Sequence, residues 1–267
     1  MKIGISSWSY GWAVGINGYL PKTPMNLDSI LEKASELGVP VLQIADNLSL
    51  DSLSLSDLEK LASRASCLGI QLEVGTKGIL NQHIARYLEI AKTLDAKILR
   101  TLLHDNNGCP SIFDAEKEII KSLKLLEKNN VTLAIENHDF FHSKQIRELI
   151  DNINHPLVGA CLDPVNNLAK GESAFEVIEN LAPVTVNFHC KDFQIRRKPS
   201  QLGFDVLGCP AGVGLLDIKH CASVLPNDIS WVIEMWTPWQ GSIEATVKTE
   251  ADWVKASVEF LTQNSLG

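Results

Sequence analysis

The sequence predicts an α/β fold, a single (β/α)8 TIM barrel spanning residues 1–267. Three observations predict it. Eight short β-rich runs alternate with eight helix-period stretches. Most of the β-rich runs are continuously apolar, as parallel strands buried on both faces require. No linker or low-complexity stretch breaks the rhythm, and barrels of roughly 250 residues are ordinary single domains. An open doubly wound sheet shares this alternation, because periodicity does not report closure. The lack of a glycine-rich dinucleotide fingerprint after the first strand weighs against it.

In chain order, strands are predicted to begin near Ile3, Val39, Ile70, Lys97, Val131, Leu157, Val184 and Trp231. Leu27, Ile30, Leu31, Ala34 and Leu37 mark the first helical stripe, which ends at Gly38. Leu58, Leu61, Ala62, Ala65 and Leu68 mark the second, ended by Gly69. Ser56 with Glu59 three residues later reads as its capping box. Further helices are expected at about 84–94, 115–129, 144–152, 174–181, 218–225 and 245–263. A long loop is expected after the seventh strand, and Gly212-x-Gly214 beyond it reads as a tight turn leading into the helix from Asp217.

Composition narrows the partners. The net charge is −8, with 32 acidic against 24 basic side chains, which disfavours nucleic-acid backbones and anionic membranes. No apolar run approaches the ~20 residues that span a bilayer, and the start lacks a basic region and cleavage site. The six cysteines show no Cys-x-x-Cys spacing and read as reduced, from which cytoplasmic residence is expected.

Catalytic residues of a parallel barrel gather at the C-terminal strand ends. There the second half of the chain offers Glu136, Asp163, His189 and Glu234, each directly after an apolar run. Three carboxylates and one imidazole form a mostly oxygen donor set suited to Mn²⁺, Mg²⁺ or Co²⁺, with Zn²⁺ also open. A divalent ion that holds a sugar's carbonyl and adjacent hydroxyl acidifies the neighbouring C–H, and a carboxylate alongside can carry the proton. The competing reading is a set of polar residues that merely stabilise the barrel mouth.

Four stretches carry a resemblance across essentially the whole chain: Ala-Ile-Glu136-Asn137-His138, Cys161-Leu-Asp163-Pro-Val-Asn166, Phe188-His189-Cys-Lys191-Asp192 and Gly212-Val-Gly214-Leu-Leu-Asp217. Together they resemble the xylose isomerase-like TIM-barrel superfamily, which includes ketose 3-epimerases, hydroxypyruvate isomerase, inosose dehydratase and an apurinic endonuclease branch. The resemblance implies that Glu136, Asp163, His189 and Glu234 hold the metal, and that the two glutamates form an acid/base pair on opposite substrate faces. Ketose 3-epimerases commonly carry His where this chain has Asn166. The pair Lys191-Asp192 is similar instead to inosose dehydratase and related oxo-sugar-acid decarboxylases. The endonuclease branch needs further His and Asp ligands, and Asn166 stands where one of them would be.

Other candidates each have two readings. His138 and Asn166 are expected to meet substrate, or for His138 to make a local hydrogen bond. Lys191 anchors a substrate oxygen or acts as an acid/base, or else pairs with a carboxylate such as Asp192. Trp8 and Trp236, with Trp12 and Trp239, wall a sugar pocket or fill the core. Arg196, in the run Arg196-Arg197-Lys198, clamps an anionic group or belongs to a solvated surface. His104 ends the fourth strand, while His83, His142, His155 and His220 are expected to be incidental. The expected activity is a metal-dependent isomerase or epimerase of a small sugar through an ene-diolate. The alternative is a lyase, a dehydratase or decarboxylase of an oxo-sugar or oxo-sugar acid. A non-enzymatic sugar-binding barrel is the reading from a different class. A small carbohydrate is the expected partner, and a homo-oligomer is plausible by resemblance.

Overall fold

Eight parallel strands close into a barrel in the computed structural model, which describes residues 1–264. Residues 265–267 of the predicted domain lie outside the described residues. The barrel strands are β1 (Lys2–Ser6), β2 (Val41–Ile44), β3 (Gln71–Lys77), β4 (Ile98–Leu102), β5 (Thr132–Glu136), β6 (Val158–Leu162), β7 (Thr185–Cys190) and β10 (Ser230–Ile233). β10 closes the ring by pairing with β1, Ile5 opposite Ile233. Every barrel strand starts within about two residues of its predicted place, because runs buried on both faces leave the clearest apolar signal.

The helices are α1 (Gly11–Val14), α2 (Leu27–Glu36), α3 (Leu55–Cys67), α4 (Asn81–Thr93), α5 (Ile112–Asn129), α6 (Ser143–Ile153), α7 (Ala174–Leu181), α8 (Ile218–Val224) and α9 (Ile243–Gln263). Their apolar stripes face the barrel, as Ile30, Leu31 and Ala34 of α2 and Leu58, Leu61 and Ala65 of α3 are buried. The capping box expected at Ser56 is corrected by the structure. Ser54 caps α3, its hydroxyl accepting the Asp57 N–H, so Ser56 lies inside the first turn. No helix among the described residues is long and apolar enough to cross a membrane.

The expected loop after β7 is a hairpin. β8 (Asp192–Arg197) and β9 (Phe204–Cys209) pair antiparallel, outside the barrel sheet. Its outer half leaves Ile195, Phe204 and Val206 exposed, so its apolar pattern lacks the continuity of a buried strand. At its base the Asp192 carboxylate accepts the backbone N–H groups of Gly212, Gly214 and Leu216 at 2.9, 2.9 and 3.0 Å. Gly214 is required by that approach, since a Cβ there would lie 2.1 Å from Asp192 Oδ1. Asp192 therefore secures the turn before α8, and Lys191 is paired elsewhere.

A register shift between β6 and β7 puts Ala160 opposite Thr185 and Cys161 opposite Asn187. The extra residue, Val186, crowds Gly159, where a Cβ would come within 2.5 Å of Val186 Cγ1. Such bulges re-aim side chains near functional sites, and this one brings Asn187 beside Cys161 in the barrel interior, where Cys161 Sγ contacts Asn187 Oδ1 at 3.1 Å.

The β1–α2 connection carries Trp8 and Trp12 and is tied down by α9. Glu250, which is buried, accepts the N–H groups of Trp12 and Ala13, both at 3.0 Å. Burial pushes its carboxyl up to about 8, against the lowering effect of those two donors. A carboxyl raised in the folded state holds its proton where the unfolded chain has released it. Its contribution to stability is complete below the ordinary value of 4.5 and disappears as pH rises through about 8. Glu250→Gln is therefore expected to flatten the loss of stability between pH 5 and 8 in urea unfolding, and equal slopes in the two proteins would refute the assignment.

Candidate metal centre and active site

Glu136 ends β5, Asp163 follows β6, His189 lies near the end of β7 and Glu234 follows β10. The barrel brings all four together, buried. His189 Nδ1 lies 3.5 Å from Glu136 Oε2, 3.5 Å from Glu234 Oε1 and 3.9 Å from Asp163 Oδ2. The other ring nitrogen, Nε2, lies 2.8 Å from Gln43 Oε1 and donates to it. That leaves a lone pair on Nδ1, facing the carboxylates.

Buried polar atoms are normally satisfied, yet His189 Nδ1, Asp163 Oδ2 and Glu234 Oε1 have no hydrogen-bond partner. Ligand atoms of these three residues lie within 4.8 Å of one another. Converging lone pairs without hydrogens between them suit a divalent cation, and the oxygen-rich set fits Mn²⁺ or Mg²⁺ well. Glu136 and Cys161 also come within that distance of His189. Burial drives the Cys161 thiol well up, which makes it a poor ligand.

Two buried cations neutralise much of this charge. Arg100 on β4 donates through Nε to Glu136 Oε2, and through Nη1 to Asp46 Oδ1 at 3.3 Å and the Thr76 carbonyl at 3.2 Å. Lys191 Nζ lies 2.7 Å from Asp163 Oδ2, too oblique for a hydrogen bond to that oxygen, and 3.1 Å from Glu234 Oε2. It also donates to Asn166 Oδ1 at 3.3 Å and lies 4.8 Å from the centre of the Trp236 ring. Burial alone would lower the Lys191 ammonium, but Asp163, Glu234 and Glu136 outweigh it and hold the ammonium charged. Burial likewise raises Glu136, yet the positive charges near it, the Arg100 guanidinium foremost and Lys191 with it, bring it below the usual carboxylate range.

Above these groups opens a cavity of about 330 Å³ lined by Trp8, Asp46, Lys77, Arg100, Leu102, His104, Glu136, His138, Asp139, Asn166, Lys191, Glu234, Met235 and Trp236. Asn166 donates to Glu136 Oε1 at 2.8 Å. A larger hollow of about 530 Å³ beside α2 and α3 contains none of the predicted site residues. Trp12 and Trp239 lie 5.5 Å apart in a cluster with Tyr19 and do not line the cavity. Arg196 is not brought to the cavity either. It is exposed on β8, and its Nε donates to Gln194 Oε1 at 2.9 Å.

Arg100, Asp46 and Lys77 were missed from sequence. All come from the first half of the barrel, and Arg100 lies within its strand rather than beyond it. A signal existed, for Arg100 interrupts an apolar strand with a charge that a barrel interior does not tolerate unpaired. Asp46 follows β2, accepts from Trp8 Nε1 at 3.3 Å and lies 2.7 Å from Lys77 Nζ.

A closed (β/α)8 barrel with ionisable groups gathered at its C-terminal strand ends is the architecture of a TIM-barrel enzyme. Residues 31–263 match the xylose isomerase-like TIM barrel, and the chain belongs to that family. It is 36% identical over 264 residues to a 3-oxo-isoapionate decarboxylase of Pectobacterium atrosepticum, covering 98% of this chain and 95% of that protein. A crystal structure of D-psicose 3-epimerase in the presence of D-fructose superposes with a TM-score of 0.74 at 16% identity, covering 100% of both chains. A xylose isomerase-like TIM-barrel protein of Mycobacterium smegmatis, solved in complex with magnesium, gives a TM-score of 0.69 at 14% identity and covers 97% of each chain. At such identities the two structures speak to the fold.

Removing one member of a buried charge pair strands the other. Arg100→Met should destabilise the metal-free protein by about 3–5 kcal/mol in denaturant unfolding, whereas wild-type stability would show that Glu136 and Asp46 do not depend on it.

Proposed function

We propose that the chain is a divalent-metal-dependent lyase that decarboxylates a 3-oxo sugar acid. The observation that carries this reading is Lys191, a buried ammonium held between Asp163 and Glu234 beneath the Trp236 ring. The 36% identity to a 3-oxo-isoapionate decarboxylase supports it. So does the charge of the centre: four carboxylates (Asp46, Glu136, Asp163, Glu234) face three cations (Lys77, Arg100, Lys191). Lys77, Arg100 and Lys191 put three fixed positive charges in the cavity wall, and these together with a divalent ion would attract a carboxylate substrate.

A cation held by Glu136, Asp163, His189 and Glu234, Mn²⁺ foremost with Mg²⁺, Co²⁺ or Zn²⁺ as alternatives, would supply Lewis acidity toward a ketone oxygen. In a 3-oxo acid the C1–C2 bond breaks, carbon dioxide leaves, and the electron pair spreads over C2, C3 and the ketone oxygen. Lys191 contributes fixed positive charge to that oxygen. His138 then returns one proton to C2, and Trp8 and Trp236 pack against the carbon chain. No base is needed to remove a proton from carbon. This accords with Glu136, which the Arg100 guanidinium holds below the usual carboxylate range and so makes a weak base.

An isomerase or epimerase is the second reading, favoured by Glu234 Oε1, an oxygen without a partner that can accept a proton from carbon. Carbon-13 NMR in D₂O separates the two. The metal-loaded protein should release carbon dioxide from 3-oxo sugar acids faster than the spontaneous background, leaving a ketose with one deuterium at the former C2. Lys191→Met should lower kcat by about 100-fold while metal content is retained. Deuterium exchange into ketoses without carbon dioxide release would move the assignment to the second reading.

A further inference from the structure

Beneath the metal centre lies a closed polar chain that the proposed chemistry does not use. Gln43 on β2, Glu73 on β3, Asn187 on β7 and Ser230 on β10 are all buried in the barrel interior. Gln43 Nε2 donates to Glu73 Oε2 and to Asn187 Oδ1, both at 3.0 Å. Asn187 Nδ2 donates to the same Glu73 Oε2 at 3.0 Å and to Ser230 Oγ at 2.7 Å. Ser230 Oγ in turn contacts Glu73 Oε1. The upper end of this chain is Gln43 Oε1, 2.8 Å from His189 Nε2.

An amide has one accepting and one donating end, so the chain has a direction. Glu73 Oε2 accepts two N–H groups, which forces the amide nitrogens of Gln43 and Asn187 to point down. The oxygen of Gln43 must then point up, where only an N–H can satisfy it. We infer that Glu73 is a positioning residue that sets the tautomer of His189, acting through Gln43 and Asn187 to keep the proton on Nε2 and the lone pair on Nδ1. The direction survives either protonation state of Glu73. A proton on the carboxyl resides on Oε1 toward Ser230, whose hydroxyl donates or accepts equally well. The inference rests on the reading of His189 as a metal ligand through Nδ1, but the tautomer is measurable without metal.

The test is ¹⁵N NMR of the metal-free protein labelled at histidine, with the His189 signals assigned by their loss in His189→Gln, alongside calorimetric Mn²⁺ titration. Across a pH titration that brings the ring to its singly protonated form, wild type should show that one proton on Nε2 and none on Nδ1. Glu73→Met removes the anchor, so both tautomers should appear and Mn²⁺ affinity should fall about 10–100-fold. Glu73→Gln keeps an acceptor for the two amides and a donor for Ser230, so tautomer and affinity should stay within about threefold of wild type. Gln43→Met should reproduce Glu73→Met and serves in its place if that variant does not fold. A wild-type tautomer in Gln43→Met, or a Glu73→Gln loss equal to that of Glu73→Met, would overturn the inference. Absence of Mn²⁺ binding in wild type with the expected tautomer would refute the metal reading and leave the orienting chain standing.

Discussion

Three carboxylates and an imidazole buried at one point repel one another unless something positive stands among them, and the rest of this site follows from that constraint. The barrel meets part of the demand with Arg100 and Lys191, each placed against two carboxylates. It leaves the inner oxygens of Asp163 and Glu234 and the Nδ1 of His189 without hydrogens. A folded chain tolerates such atoms where a function requires them. Lys191 offsets the charge of Asp163 from 2.7 Å without hydrogen-bonding its Oδ2, and the lone pairs of that oxygen, of Glu234 Oε1 and of His189 Nδ1 converge on one point.

This division of charge places the two halves of the barrel in different roles. β5, β6, β7 and β10 present the ligand-type residues, while β2, β3 and β4 or their ends present Asp46, Lys77 and Arg100 opposite them. Asp46 is the meeting point, since it accepts from Trp8, from Arg100 and lies against Lys77. Burial raises its carboxyl, but Arg100 and Lys77 more than compensate and keep it ionised. The pocket wall at Trp8 is thus held by the same charges that balance the centre.

The strands of the barrel and the four ligand-type residues were legible because both depend on short-range patterns, an apolar run and the polar residue that follows it. What was illegible depends on distance across the barrel. Arg100 looks like an isolated charge until β4 stands beside β5, and Glu73, Gln43 and Asn187 look unrelated until β2, β3, β7 and β10 enclose them. Arg196 shows the opposite error, a basic run given a role by its loop position when the chain pairs it into an exposed hairpin. Ser54 supplanted Ser56 as a helix cap for a local reason, since several serines precede α3 and only geometry selects among them.

The hairpin leaves the barrel directly after Lys191 and meets the pocket wall through the backbone of Gly208. Gly208 N donates to the carbonyl of Trp236 at 3.1 Å, and a Cβ on Gly208 would lie 2.5 Å from that oxygen. The residue after it, Cys209, still pairs with Asp192 at the base of the hairpin, whereas the far end projects Leu202 and Phe204 into solvent. The hairpin is therefore anchored at a glycine: its tip is exposed and free of the pocket wall, and a single methyl at Gly208 would have to displace the backbone of the tryptophan that lies against Lys191.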